Sequence, residues 1–130
     1  PAVQRLAERD GVRVTGAVDD VRPYLAHAHA AALTLRIARG IQNKVLEAMA
    51  MQLPVIASPG AMTGIQPYPG FTPTVSDDPA VLADAAVALL QKPRQIDQAA
   101  RQCVLERYDW ESNLQRIGRL LESGEIEADI

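Results

Sequence analysis

The feature that most constrains this sequence is the alternation of short apolar runs with longer helical patterns. The clearest runs are residues 30–35 and 54–57, and neither contains a charged side chain. Between them, residues 41–52 have the length and composition of a helix. Strands that lack polar alternation are buried on both faces, which is typical of a parallel sheet covered by helices. The pattern therefore predicts an α/β domain.

Helix-start signals define much of the remaining chain. Asp20, Asp78 and Asp109 each stand where an N-cap is expected, and Pro79 suits the first turn of a helix. Further predicted elements are a helix in residues 1–10, strands at 12–14 and 72–75, and helices at 79–90, 94–108 and 110–121. Because crossovers between parallel strands are right-handed, the sequence predicts a Rossmann-like, three-layer domain with a parallel sheet.

Length and composition limit the organisation and the partners of the chain. Its 130 residues allow one domain, expected over residues 1–123, followed by a frayed acidic tail at 124–130. A net charge of -3 without a basic run argues against a nucleic-acid partner. The single Cys103 cannot form an internal disulfide and is expected to be a buried, inert thiol, as in a reducing compartment. Because the chain begins with Pro1, we expect a longer protein truncated here at its N-terminus.

A candidate ligand site follows the first long apolar run. Ligands of open parallel sheets bind beyond the carboxyl ends of the strands, where the first backbone N–H groups of a helix are unpaired and favour phosphate. The basic residues and the helix start in this segment are Arg36, Arg39, Gly40, Asn43 and Lys44. This arrangement is suited to neutralising a diphosphate.

Glu47 is unusual because apolar residues surround it on a helix that looks buried. A buried carboxylate is costly without a partner, so Glu47 must reach solvent or a partner group. Sugar hydroxyls would serve as donors, and so would Lys44. The residues alone leave a ligand role and a structural Lys44–Glu47 pair open.

Metal binding has little support in the sequence. His27 and His29 lack a neighbouring carboxylate or cysteine pattern that would complete a site. The acidic pairs at residues 19–20 and 77–78 directly precede helices, so capping explains them. We therefore expect no metal site.

One stretch of the chain resembles a known enzyme family. The order Gly40, Lys44, Glu47, followed by Ala-Met-Ala-Met and by Pro-Val-Ile-Ala-Ser at residues 54–58, is similar to the signature of retaining GT-B glycosyltransferases. It resembles family 4, the glycosyl transferases group 1, in particular a subgroup in which an arginine precedes the glycine, as Arg36 does here. The similarity extends to residues 11–25 upstream and to the segments that begin at Asp78 and Tyr108.

The resemblance implies the C-terminal, donor-binding half of a GT-B enzyme. In it, Glu47 holds the ribose hydroxyls of a nucleotide-diphosphate sugar, and the N–H groups of Asn43 and Lys44 hold the diphosphate. Arg36 and Lys44 are the implied charge partners. Gly16 and Val18 match the region that flanks the nucleobase. Arg39 departs from the family, since a first glutamate is expected at that position.

The resemblance also implies substrates and partners. The donor would be a UDP-sugar or a GDP-sugar, used without a metal or other cofactor. The acceptor would be a saccharide or lipid-linked saccharide of bacterial polysaccharide biosynthesis, bound by an N-terminal domain of the same longer chain. Without that domain we expect no activity. The expected location is cytoplasmic, peripheral on the inner membrane face. A non-catalytic nucleotide-binding module, or half of a nucleotide-sugar epimerase, remains an alternative.

Overall fold

The computed structural model describes residues 2–123, so the predicted tail at 124–130 lies outside the described residues. The helices are a short 3-10 helix at Gln4–Glu8, α1 at Arg22–His27, α2 at Asn43–Ala50, α3 at Pro79–Leu90, α4 at Gln98–Arg107 and α5 at Trp110–Ser123. The strands are β1 at Ala31–Leu33, β2 at Val55–Ala57 and β3 at Thr74–Val75.

The three strands form one parallel sheet in the order β1-β2-β3. Ala31 pairs with Val55, and Ile56 pairs with Thr74, so β2 is the central strand and pairs with both neighbours. Helix α2 connects β1 to β2, while an irregular segment with several turns connects β2 to β3. The α/β Rossmann-like prediction is therefore confirmed.

Helices cover both faces of the central strand. Val55 and Ala57 belong to the core cluster that also contains α2 and α4 residues, whereas the buried Ile56 lies outside that cluster. Because successive strand side chains point to opposite faces, Ile56 points to the other side of the sheet. Helix α3 packs against β2 and β3, and its buried Leu82 also lies outside the main cluster. This arrangement gives the three layers that the sequence predicts.

The main core forms where α2 lies between the sheet and α4. The buried residues of this cluster are Val45, Ala48, Met49, Leu53, Val55, Ala57, Ala61, Phe71, Ala100 and Cys103. Two hydrogen bonds join the end of α2 to α4: Arg101 Nη1 donates to Ala50 O at 2.8 Å, and the Asp97 N–H donates to Gln52 O at 2.9 Å. The contact between α2 and α4 is thus stabilised both by buried apolar side chains and by hydrogen bonds at its edge.

The N-caps predicted at the later helices are confirmed. Asp78 accepts a hydrogen bond from the Ala80 N–H at 2.9 Å, and Asp109 accepts one from the Ser112 N–H at 2.9 Å. Asp20 accepts from the Arg22 N–H and also pairs with the Arg22 guanidinium at 2.9 Å. Asp78 and Asp109 thus cap their helices as the sequence indicates. The N-cap predicted at Asp20 is wrong, because α1 begins at Arg22 and its N-cap is Val21, which makes no side-chain cap bond.

The predicted strand at residues 12–14 is wrong. This segment has no regular structure, and no residue before Leu25 belongs to the core cluster or packs against it within the described chain. A strand is stable only when a neighbour satisfies its backbone groups, and none of the described residues pairs with it. Helix α4 also begins later than expected, at Gln98, because Asp97 caps it by accepting from the Ala100 N–H.

Truncation of Met49 should test the main core. Met49 has no exposed surface, so Met49→Ala leaves a cavity, and we expect a loss of about 2–5 kcal/mol in the free energy of unfolding. Leu121 is 81% exposed, and Leu121→Ala should change that free energy by less than about 0.5 kcal/mol. Urea denaturation measures both variants. Equal losses in the two variants would contradict the described packing.

Candidate functional site

The carboxyl ends of the three strands meet at one edge of the sheet, where the loop between β1 and α2 turns into the helix. Gly40 has φ +67°, a left-handed conformation that a glycine adopts without strain. The Gln42 side-chain amide donates to Arg39 O at 3.2 Å and to Gly40 O at 3.1 Å. The glycine and the glutamine together hold the chain at the point where α2 begins.

The first turn of α2 presents unpaired backbone donors. The N–H groups of Val45 and Leu46 donate to Gln42 O, at 3.0 and 3.3 Å. Within the described residues, the N–H groups of Asn43 and Lys44 have no acceptor. Together with the positive end of the helix dipole, these two donors can bind an anion such as a phosphate group.

Helix α2 divides sharply into a buried face and an exposed face. Val45, Ala48 and Met49 are buried, whereas Lys44 and Glu47 are exposed. Glu47 thus reaches solvent, which is one of the two outcomes that the sequence allows for it. The expectation that α2 is buried on nearly every side is wrong, because only one of its faces packs against the core. Among residues 2–123 the ion pair that forms joins Arg22 to Asp20, so the alternative Lys44–Glu47 pair is not observed.

Arg36 lies at a separate cavity of about 320 Å³ beyond the strand ends. The lining residues come from the segments after β1, β2 and β3 and from the first turn of α3: Thr34, Leu35, Arg36, Ser58, Ser76, Asp77, Pro79 and Leu82. Asn43, Lys44 and Glu47 do not line this cavity. The structure thus brings Lys44 and Glu47 together on α2, but it directs Arg36 towards α3.

In the described part of the chain, Gly16 and Val18 make no hydrogen bond to the residues at the start of α2. Gly16 has φ +69° and faces open space, since a side-chain carbon added there would meet no atom within 4 Å, and Val18 is 38% exposed. Their predicted place beside a nucleobase stays a prediction.

Ser58 ends the signature-like stretch at residues 54–58, but no role in the site is predicted for it from the sequence. It follows β2 directly and is 5% exposed. Its hydroxyl donates to Leu35 O at 2.6 Å and accepts from the Ala61 N–H at 3.3 Å. Ser58 therefore ties the segment after β2 to the segment after β1. The usable signal is a small polar residue between a buried strand and a Pro-Gly turn.

Tyr108 and Arg107, at the end of α4, hold the connection between β2 and β3. The Tyr108 hydroxyl donates to Gly64 O at 3.0 Å and accepts from the Gln66 N–H at 2.8 Å. Arg107 Nη1 donates to Gln66 Oε1 at 3.1 Å and to Pro67 O at 2.9 Å. No local pattern indicates these bonds, because they join residues about forty positions apart.

The same connection lies against the start of α2. A side-chain carbon added at Gly64 would come within 2.7 Å of Ile41 Cγ1, and Gly64 itself has φ +80°. Only glycine combines that conformation with so close an approach. Tyr108 therefore contacts Gly64, and Gly64 in turn packs against Ile41, which precedes the start of α2.

The cysteine and histidine side chains that the sequence offers as candidates show no arrangement suited to catalysis or metal binding among the described residues. Cys103 is fully buried, and burial raises the pKa of its thiol, which keeps it protonated and unreactive as expected. His27 Nδ1 lies 2.7 Å from Pro23 O, one turn earlier. Within residues 2–123, no three His, Cys, Asp or Glu side chains come together as metal ligands. Over the same residues, no helix has the length and apolar composition needed to cross a membrane.

Comparison with known proteins gave one match. The model of the family described as glycosyl transferases group 1 matches residues 1–92, which is more than half of the chain. The matched region contains the sheet, α2 and the whole of α3 to its end at Leu90. The chain matches no curated protein and no solved structure.

The contact between Gly64 and Ile41 can be tested with matched glycine variants. Gly40→Ala and Gly64→Ala both place alanine at a positive φ, which costs about 1 kcal/mol, but only the second meets a neighbour. We therefore expect Gly64→Ala to lower the free energy of unfolding further than Gly40→Ala does. Ile41→Ala should recover the difference in the double variant. Denaturation of the four variants measures this, and an equal loss at the two glycines would contradict the contact.

Proposed function

Since the chain belongs to the glycosyl transferases group 1 family, we propose that it is the donor-binding domain of a retaining, GT-B-type glycosyltransferase of family 4. Its role is to hold a nucleotide-diphosphate sugar during transfer of the sugar to a saccharide or lipid-linked acceptor. The observation that carries this proposal is the start of α2, where the first turn has unpaired N–H groups and the exposed carboxylate of Glu47 follows one turn later.

The diphosphate binds at the start of α2 in this proposal. The N–H groups of Asn43 and Lys44 donate to its oxygens, and the Lys44 ammonium adds a positive charge nearby. Charge builds up on the diphosphate as it leaves the anomeric carbon, so donors fixed at this position stabilise the transition state. Arg36 lines the separate cavity beside α3, so in this proposal its positive charge acts on the diphosphate at a distance and not through a direct contact.

The ribose binds beside Glu47. Glu47 is four residues beyond Asn43, about 6 Å along the helix axis, and side chains of a helix tilt towards its N-terminus. Its carboxylate can therefore accept hydrogen bonds from the ribose hydroxyls while the diphosphate occupies the helix end. The exposure of Glu47 supports this role, because no protein group competes for the carboxylate among the described residues.

The wider setting follows from the same proposal. Helix dipole and basic side chains replace a metal in neutralising the leaving group, so we propose metal-independent use of a UDP-sugar or a GDP-sugar. Gly16 and Val18 flank the nucleobase. An N-terminal domain of the same longer protein binds the acceptor, in a cytoplasmic enzyme of bacterial polysaccharide biosynthesis that is peripheral to the inner membrane face.

Calorimetric titration with UDP-sugars and GDP-sugars tests the donor site. We expect one nucleotide class to bind, and Glu47→Gln to weaken binding by about 10- to 100-fold, because hydrogen bonds to a charged acceptor are lost. Glu111→Gln, at an exposed position on α5, should leave the affinity unchanged. Failure of both nucleotides to bind, or equal affinities in the Glu47 variant and the parent, would refute the assignment.

Transfer activity gives a separate test. In the proposed arrangement the acceptor and part of the catalytic machinery come from the other domain, so the 130 residues alone should bind a donor without transferring its sugar. Incubation with a radiolabelled donor sugar and saccharide acceptors measures this. Turnover at a rate of about 1 s⁻¹ or more, typical of complete enzymes, would contradict the division of labour.

A further inference from the structure

A further polar cavity is lined in part by Ile41 and Gly64. Its volume is about 500 Å³, and it forms where the connection between β2 and β3 meets the end of α4 and the start of α5. The polar residues that line it are Gln66, Glu106, Arg107, Tyr108, Asn113 and Arg116. We refer to it as the α4–α5 cleft.

Internal hydrogen bonds hold the walls of the α4–α5 cleft in place. Tyr108 and Arg107 fix the backbone at Gly64, Gln66 and Pro67 through the bonds described above. The Asn113 side-chain amide donates to Arg107 O at 3.5 Å, which links the start of α5 to the end of α4. The backbone at residues 64–67 and the side chains of Arg107, Tyr108 and Asn113 are therefore positioned before a ligand binds.

Several donors in the cleft are not used by the protein. Within residues 2–123 the Arg116 guanidinium makes no hydrogen bond and no ion pair, and Arg107 donates through Nη1 alone. The side-chain amide nitrogen of Gln66 likewise has no acceptor in the described chain. These groups provide a guanidinium fork with further N–H donors beside it.

The charge of the cleft favours an anion. Two guanidinium groups face one carboxylate, that of Glu106, which leaves one net positive charge. The Gln102 amide donates to Glu106 Oε1 at 2.8 Å and holds the pKa of that carboxyl below its usual value. Glu106 is thus ionised at neutral pH and already has a partner on its own helix.

We propose that the α4–α5 cleft binds an oxyanion, either a carboxylate or a phosphate group, with Arg116 as its principal ligand. Planar guanidinium groups bind such oxygens in pairs, and the amide of Gln66 with the remaining N–H groups of Arg107 supply neighbouring donors. Ile41 lines the cleft and stands immediately before Gln42, the N-cap of α2. The bound anion would lie beside the proposed donor site, but its binding does not depend on that site.

Nuclear magnetic resonance titration of the ¹⁵N-labelled chain tests the proposal. Inorganic phosphate and glucuronate are the two anionic probes, and glucose is the neutral counterpart of glucuronate. We expect saturable shifts of the side-chain signals of Gln66, Asn113 and Arg116 with at least one anion and no shifts with glucose. Saturation by glucuronate alone assigns a carboxylate ligand, and saturation by phosphate alone assigns a phosphate group.

Two arginine variants on α5 separate a built site from general charge attraction. Arg116→Gln should weaken anion binding about tenfold or more, whereas Arg119→Gln removes the same charge outside the cleft and should not change the affinity. Both arginines are exposed, so both variants should keep the parent melting temperature.

Three results would overturn the proposal. The first is the absence of saturable shifts with either anion. The second is equal weakening by the two arginine variants. The third is a set of phosphate shifts confined to the N–H groups of Asn43 and Lys44, which would place the anion at the start of α2. That third result would leave the donor-site proposal intact, so the two proposals fail independently.

Discussion

Burial of one face of α2 is the interaction on which the rest of the structure depends. Val45, Ala48 and Met49 pack between the sheet and α4, and burying a side chain such as Met49 contributes about 1.5–3 kcal/mol. That burial fixes the rotation of the helix about its axis. Lys44 and Glu47 must then point outward, beside the unpaired N–H groups of the first turn. The chemistry available at the candidate site is thus a consequence of core packing.

Much of the fold could be predicted because its signals are local. The helix caps at Asp78 and Asp109 and the buried strand at Val55–Ala57 depend on a few neighbouring residues. The segment at residues 12–14 also has a strand-like pattern, but a strand needs hydrogen bonds from a neighbour that local pattern does not provide. The start of α4 is predicted too early because the capping residue Asp97 stands in a stretch of polar residues that hides its role.

Some features of the candidate site could likewise be predicted from local sequence, and others could not. That Glu47 reaches solvent or a partner follows from the cost of burying a carboxylate, and the turn at Gly40 follows from its residue type. Ser58 and Tyr108 depend on contacts between segments 23 and 44 positions apart, which become visible only in three dimensions. Arg36 belongs to the right loop, yet its position facing α3 depends on how three strand ends come together.

The partners of the Tyr108 hydroxyl have a consequence for how such a protein can diverge. Both are main-chain atoms, Gly64 O and the Gln66 N–H, and Arg107 adds a bond to the main-chain Pro67 O. Of the bonds that hold the connection to the end of α4, the one from Arg107 to Gln66 Oε1 is the bond that depends on the side chain of Gln66. Because that side chain lines the α4–α5 cleft, mutations at residue 66 can alter what the cleft offers a ligand while the path of the connection past α2 is kept. Hydrogen bonds to the main chain can therefore preserve the conformation of this loop while substitutions at residue 66 change which ligands the cleft binds.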